Sequence, residues 1–129
     1  MGKYINPEVI EEKMKQSPFI MDMMVVGEEQ KFAAALIAPD FDMLVDWCRR
    51  HGVEAKSREE MIADKRVVAR FQKVVDKYNA ELGTTEQVRR FALVADVWTE
   101  ANKMLTPTQK LIRRNVTNVY KEQIEGLFK

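Results

Sequence analysis

The stretch from Met104 to Asn115, MLTPTQKLIRRN, sets one lysine, Lys110, after a Thr-Pro-Thr turn and just ahead of Arg113 and Arg114. A lysine ammonium is a compact charge on a long stem, suited to meeting a phosphate or an anionic substrate. Pro107 fixes its own φ and biases Thr106 towards extended backbone, so the segment begins as a constrained loop. The hydroxyls of Thr106 and Thr108 can tighten that loop by bonding to nearby backbone. A lysine held this way is a positioned charge. The same residues also allow a plainer reading, the first turn of a helix with a solvated Lys and Arg pair, because short basic runs commonly keep a face in water. Other reactive residue types offer less. The pairs Glu11–Glu12, Glu28–Glu29 and Glu59–Glu60 read as solvated helix or turn positions rather than acid–base dyads. The sole histidine, His51, lies in RRHGV where a helix ends, and a capping role fits it. With one cysteine, Cys48, there is no internal disulfide and no cysteine-based zinc cluster. No metal site is expected. There is no P-loop, GxGxxG, GxSxG or HExxH.

Elements that could position Lys110 follow from periodicity. The chain has 129 residues, enough for one domain with one core, and its 46% hydrophobic and 32% charged content is that of a globular protein. After Pro7, PEVIEEKMKQS starts like a helix, and Ser17-Pro18 stops it. FIMDMMVVGEEQKFAAALIAP reads as two apolar strands joined at Gly27-Glu28-Glu29-Gln30, a hairpin. DFDMLVDWCRRHG carries Phe41, Leu44, Val45 and Cys48 at helical spacing, with an Asp cap in front and Gly52 behind. One long helix is expected from Ser57 to Leu82, opened by a Ser57–Glu60 capping box. Its inward stripe would be Met61, Val68, Phe71, Val75, Tyr78 and Leu82. VRRFALVADVWT reads as a third strand and RRNVTNVYKEQIEGLF as a last helix. The eight methionines, Met21, Met23 and Met24 among them, are expected mostly in the core. The order predicts an α+β domain with a small, mainly antiparallel sheet, a hairpin plus a third strand, packed with helices.

Charge excludes one class of partner. The net charge is +1, and the basic residues Lys65, Arg66, Arg70, Lys73 and Lys77 are interleaved with Glu59, Glu60, Asp64 and Asp76. No nucleic-acid partner is expected. No apolar run is long enough for a membrane span. A single cysteine fits a reducing compartment, so a cytoplasmic location is expected.

The two ends of the chain together resemble the C-terminal domain of AMP-forming acyl-CoA synthetases, in the branch of the long-chain fatty acid–CoA ligases. GKYINPEVIEE is similar to the second half of that family's hinge motif. VRRFALVADVWTEANKMLTPTQKLIRRNV resembles its closing motif, in which a strand leads through a WTxEN-like turn to LTPTxKxxRR. The resemblance covers nearly the whole chain. Two departures are visible. Many members have glycine directly before the lysine, where this chain has Gln109, and the turn reads Glu100-Ala101-Asn102 instead of Glu-Asn.

The resemblance implies a role for each end. These ligases join a carboxylate to AMP with release of pyrophosphate, then pass the acyl group to the thiol of coenzyme A. Lys110 would be the catalytic lysine of the first step, and Arg113 and Arg114 would meet cofactor phosphates unless they are a surface pair. Rotation of the domain would then bring Gly2, Lys3 and Tyr4 to the CoA side, with Lys3 equally readable as a solvated terminal lysine. ATP/AMP, CoA and Mg2+ would serve the full-length enzyme, and none is expected to bind tightly to residues 1–129 alone. The expected partner is the chain's own N-terminal adenylation domain, absent from this sequence, which would hold the long-chain fatty acid and make any peripheral membrane contact. The competing expectation is a free-standing α+β protein-interaction module without catalysis.

Overall fold

The computed structural model describes residues 6–27 and 32–129. The hairpin turn expected at Glu28–Gln30 lies outside them. Helix α1 (Pro7–Met14) begins with Pro at its first turn, where a missing N–H costs nothing. Strand β1 (Ile20–Val26) pairs antiparallel with β2 (Ala33–Pro39). At Gly27 the backbone takes φ +124, and a Cβ there would lie 2.5 Å from the Phe32 carbonyl oxygen, so only glycine fits. Helix α2 (Phe41–Arg50) is capped by Asp40, whose carboxylate accepts the Met43 N–H at 3.1 Å. His51 ends α2 as expected, with its N–H on the Trp47 and Cys48 carbonyls and its Nδ1 2.8 Å from the Trp47 oxygen.

The expected long helix is two helices. Helix α3 (Arg58–Ala63) and helix α4 (Lys65–Asn79) meet at Asp64, whose backbone is extended and whose carboxylate caps α4 through the Arg66 N–H. A short polar residue competes well with helix at such a site. The guanidinium of Arg66, bonded to the same carboxylate, holds Asp64 below the usual carboxylate range. The break rotates the stripe: Val67, Phe71, Val74, Val75 and Tyr78 are buried, whereas Val68 is exposed. Half of the capping box forms as expected, with the Ser57 hydroxyl accepting from the Glu60 N–H. The Glu60 carboxylate reaches the Lys56 N–H instead of that of Ser57.

Strand β3 (Val88–Leu93) is shorter than expected and runs parallel to β2, giving a mixed sheet of order β1-β2-β3. Parallel neighbours need a long crossover, and residues 40–87 supply one made of helices. Asn79 starts the strand by standing in for one. Its amide donates to the Val88 carbonyl and accepts from the Val88 N–H, each at 2.9 Å. The last helical segment is also broken, into α5 (Arg113–Val119) and α6 (Lys121–Leu127) at Tyr120.

Strand β2 is buried along its whole length and has a core on each face. Ala33, Ala35 and Ile37 face Ile10 and Met14 of α1, Phe41 and Leu44 of α2, and Phe71 and Val75 of α4. Ala34, Leu36 and Ala38 face Trp98, Met104, Leu105, Val116 and Tyr120. Alanine suits a strand covered on both sides because it lets the layers approach closely. Met23 and Met24 are buried as expected. Met21 is not: a register shift between Ile20 and Asp22 extrudes it, leaving it 51% exposed.

A lysine loop clasped to the first helix

Lys110 sits at the end of a tight loop on the second face of the sheet. Leu105 and Leu111 form an antiparallel bridge that closes it. Inside, the Thr106 N–H donates to the Lys110 carbonyl and the Gln109 N–H to the Thr106 carbonyl, both at 2.8 Å. The Thr106 hydroxyl accepts the Lys110 N–H at 3.0 Å and lies 3.1 Å from that of Thr108. Thr106 therefore tightens the loop through the backbone as expected, whereas the Thr108 hydroxyl meets that of Thr106 instead of backbone, and the lysine is neither on a helix nor on a first helical turn. Gln109 has φ +68, a left-handed conformation that glycine adopts without cost and a side chain resists. The glycine common at this position in the resembling family has its physical reason here.

The base of the loop is anchored in the second core. Met104 and Leu105 are buried, and the Ile112 N–H donates to the Met104 carbonyl at 2.8 Å. Thr99 and Asn102 bond reciprocally, side chain to backbone, at 2.9 and 3.1 Å, and the Asn102 amide also donates to the Val97 carbonyl. Glu100 and Ala101 are thus accommodated in a closed turn. Below it the Tyr120 hydroxyl accepts from the Trp98 indole at 3.1 Å and donates to Asp96 at 2.5 Å. Burial, reinforced by the neighbouring Asp96 carboxylate, pushes the Tyr120 phenol up to about 12.

The lysine side chain is exposed and enters none of the ion pairs among the described residues. It borders a cleft of about 290 Å³ shared with Glu8, Glu12, Lys15 and Asp22. Burial raises the Asp22 carboxyl above its ordinary value, although its own oxygen accepts the Met23 N–H and Lys15 lies nearby. Arg114 is exposed and enters none of those pairs either. Arg113 has a different place. Its fork grips Glu11 of α1 through two bonds of 2.8 and 2.6 Å, and Glu11, 6% exposed, also accepts the Val25 N–H of β1 at 2.7 Å. That hydrogen-bonded carboxylate holds Arg113 above its already high ordinary value. A phosphate could meet the Arg113 fork only after Glu11 releases it.

Sequence reasoning missed Glu11. Its pattern in IEEK is that of any solvated helix acid, and its partner lies 102 positions away. Gly2, Lys3 and Tyr4 lie outside the described residues. Among the described residues no group of three or more His, Cys, Asp or Glu is arranged to hold a metal ion, and no helix is long and apolar enough to cross a membrane.

Residues 1–129 match the model of a family described as the AMP-binding enzyme C-terminal domain. The chain is 34% identical to long-chain-fatty-acid–CoA ligase 1 of Cavia porcellus over 98% of its length and 18% of that protein. It is 29% identical to the long-chain-fatty-acid–CoA ligase FadD15 of Mycobacterium tuberculosis, over 98% of the chain and 21% of the relative. It therefore spans about a fifth of the length of these relatives. Among solved structures, its fold is similar to part of the adenylation domain of a carboxylate reductase from Mycobacterium chelonae. That likeness has a TM-score of 0.67 at 22% identity, over 94% of this chain and 17% of that one. A Segniliparus rugosus carboxylic acid reductase A domain, in complex with AMP and a co-purified carboxylic acid, gives a TM-score of 0.66 at 20% identity, over 95% and 18%.

Proposed function

Because the chain belongs to the AMP-binding enzyme C-terminal domain family, we propose that it is the mobile C-terminal domain of a long-chain fatty acid–CoA ligase and that Lys110 is its catalytic residue for acyl-adenylate formation. The observation that carries this reading is the loop itself. It presents an ammonium, in no ion pair among the described residues, from the closing arm of a hydrogen-bonded loop whose base is buried in the second core. A carboxylate anion attacking the α-phosphate of ATP approaches a second anion. An ammonium held between them relieves that repulsion and stabilises the charge on the bridging oxygens as the new bond forms and pyrophosphate leaves. A rigid loop supplies such a charge without reorganisation at the moment of reaction.

The rest of the reaction belongs to a partner domain. This chain offers one positioned cation and, in the exposed Arg114, a second charge for a phosphate. Mg2+ that travels with a nucleotide takes one or two carboxylates and the phosphates themselves, so the metal would be held with the nucleotide, beside the fatty acid, in the adenylation domain. Any peripheral membrane contact of a cytoplasmic ligase would fall to that domain too. For the second step the domain would rotate, withdraw Lys110 and bring Gly2, Lys3 and Tyr4 to coenzyme A, where the missing Cβ of Gly2 allows close passage of the pantetheine arm. Residues 1–129 by themselves should release no pyrophosphate from ATP and palmitate.

The test is a pair of half-reactions in the enzyme that joins this chain to an adenylation domain. Lys110→Ala should lower acyl-adenylate formation by about 10²–10³, the usual loss for one electrostatic donor. Thioester formation from supplied acyl-adenylate should stay nearly intact. Equal damage to both steps would overturn the two-state model, and damage to neither would overturn the role of Lys110. The latter result would favour the interaction-module reading.

A further inference from the structure

Helix α1 packs on the first face of the sheet and the Lys110 loop on the second, and the described contacts show one polar bridge between them around the β1 edge. Glu11 makes that bridge. Its carboxylate accepts the outward Val25 N–H of β1 and both arms of Arg113, so helix, strand edge and loop base meet at one buried group. Only Leu111 and Ile112 separate Arg113 from Lys110, and both are tied into the paired base of the loop. We propose that Glu11 and Arg113 are positioning residues for Lys110: the clasp around the β1 edge fixes the direction in which the loop presents its ammonium. A planar bidentate fork fixes orientation as well as distance, which a single ammonium would not. The proposal rests on the catalytic role of Lys110 argued above.

Two measurements separate the clasp from that role. In the 129-residue chain, Arg113→Leu removes the fork, and Glu11→Gln removes the charge while keeping an acceptor for Val25. Backbone amide order parameters at Gln109 and Lys110 should fall from about 0.85 to below about 0.6 in both, with Leu36 and Val88 unchanged. Should Arg113→Leu not fold, Arg113→Lys, with one ammonium for the fork, should show a smaller fall at the same residues. Unchanged loop order in the folded variants would overturn the clasp.

The second measurement is kinetic and uses the enzyme joined to its adenylation domain. Arg113→Leu should lower adenylation kcat by about tenfold or more, as small misplacements of a reacting group do. The KM for ATP and the thioester step should change less than about twofold, and Arg113→Lys should recover part of the loss. Placed on Lys110→Ala, Arg113→Leu should cost nothing further, since a residue acting through Lys110 has nothing left to position. A further loss on that background would mean that Arg113 meets the substrate itself, and the positioning role would be wrong. A harmless Lys110→Ala would overturn the catalytic role of that lysine, while the order parameters would still decide whether the clasp holds the loop.

Discussion

Gln109 and Asp22 show how single residues near Lys110 carry costs that the fold absorbs. Gln109 keeps a positive φ so that the loop can close on Lys110. Gln109→Gly should therefore raise stability by about 0.5–1 kcal/mol, the relief of left-handed strain less the added freedom of the unfolded chain. Gln109→Val should lower it, because a β-branched side chain tolerates that region least. Urea unfolding midpoints of the three proteins decide the order. Asp22 is strained electrostatically. Its folded carboxyl titrates above the ordinary 3.8, chiefly because burial penalises its charge. A raised value means that its favourable contribution is present at acid pH and lost as pH rises through the folded value. Asp22→Asn keeps an acceptor for the Met23 N–H and removes the charge, so it should stabilise the protein at pH about 7. The gain should vanish below pH about 4, and a gain equally large at both would refute the account.

At the scale of elements, the split at Asp64 decides which residues of the second helical run reach the core. Periodicity carried unbroken from Met61 assigns Val68 to the inside, yet the extended residue at Asp64 turns α4 so that Val67 is fully buried and Val68 is 39% exposed. Val67→Ala should cost about 1–3 kcal/mol through lost burial and a cavity, and Val68→Ala within about 0.5 kcal/mol. Thermal unfolding of the pair tests the break directly, since an unbroken helix reverses the order. The same cap has a pH signature. Arg66 holds Asp64 low, so the stability it adds is present above the unfolded value and lost as pH falls through the folded one.

The molecule as a whole has two cores sharing one strand, and this ties the Lys110 face to the helical face. Trp47 packs against the first core and Trp98 lies in the second. Strand β2 lines both, so neither core can open without exposing the back of the other. Unfolding should be a single transition. In Trp47→Phe, the fluorescence of Trp98 reports the second core alone, and its denaturant midpoint should coincide with that of far-ultraviolet circular dichroism. An earlier fluorescence transition would show that the Lys110 face loosens by itself.

Local chemistry by itself determined much of this protein. Pro7, Asp40, Ser57 and Gly52 mark helix ends because caps and turns depend on one or a few neighbouring residues, and the hydrophobic periods placed the strands and helices in order. The constrained loop around Pro107 and the lysine after it were legible for the same reason, and the family resemblance rested on that spacing. Tertiary structure decided what depends on distant partners. Strand direction was one such matter: β3 lies parallel because the intervening helices cross over the sheet, a choice made by packing rather than by VRRFAL. Met21 is exposed because of a bulge, which a two-residue period cannot show. The partner of Arg113 was another. A carboxylate 102 residues away, brought round the β1 edge by the packing of α1, turns an apparent surface arginine into the fastening of the Lys110 loop. Ion pairs of that separation leave no periodic trace, since only the folded chain brings their charges within reach.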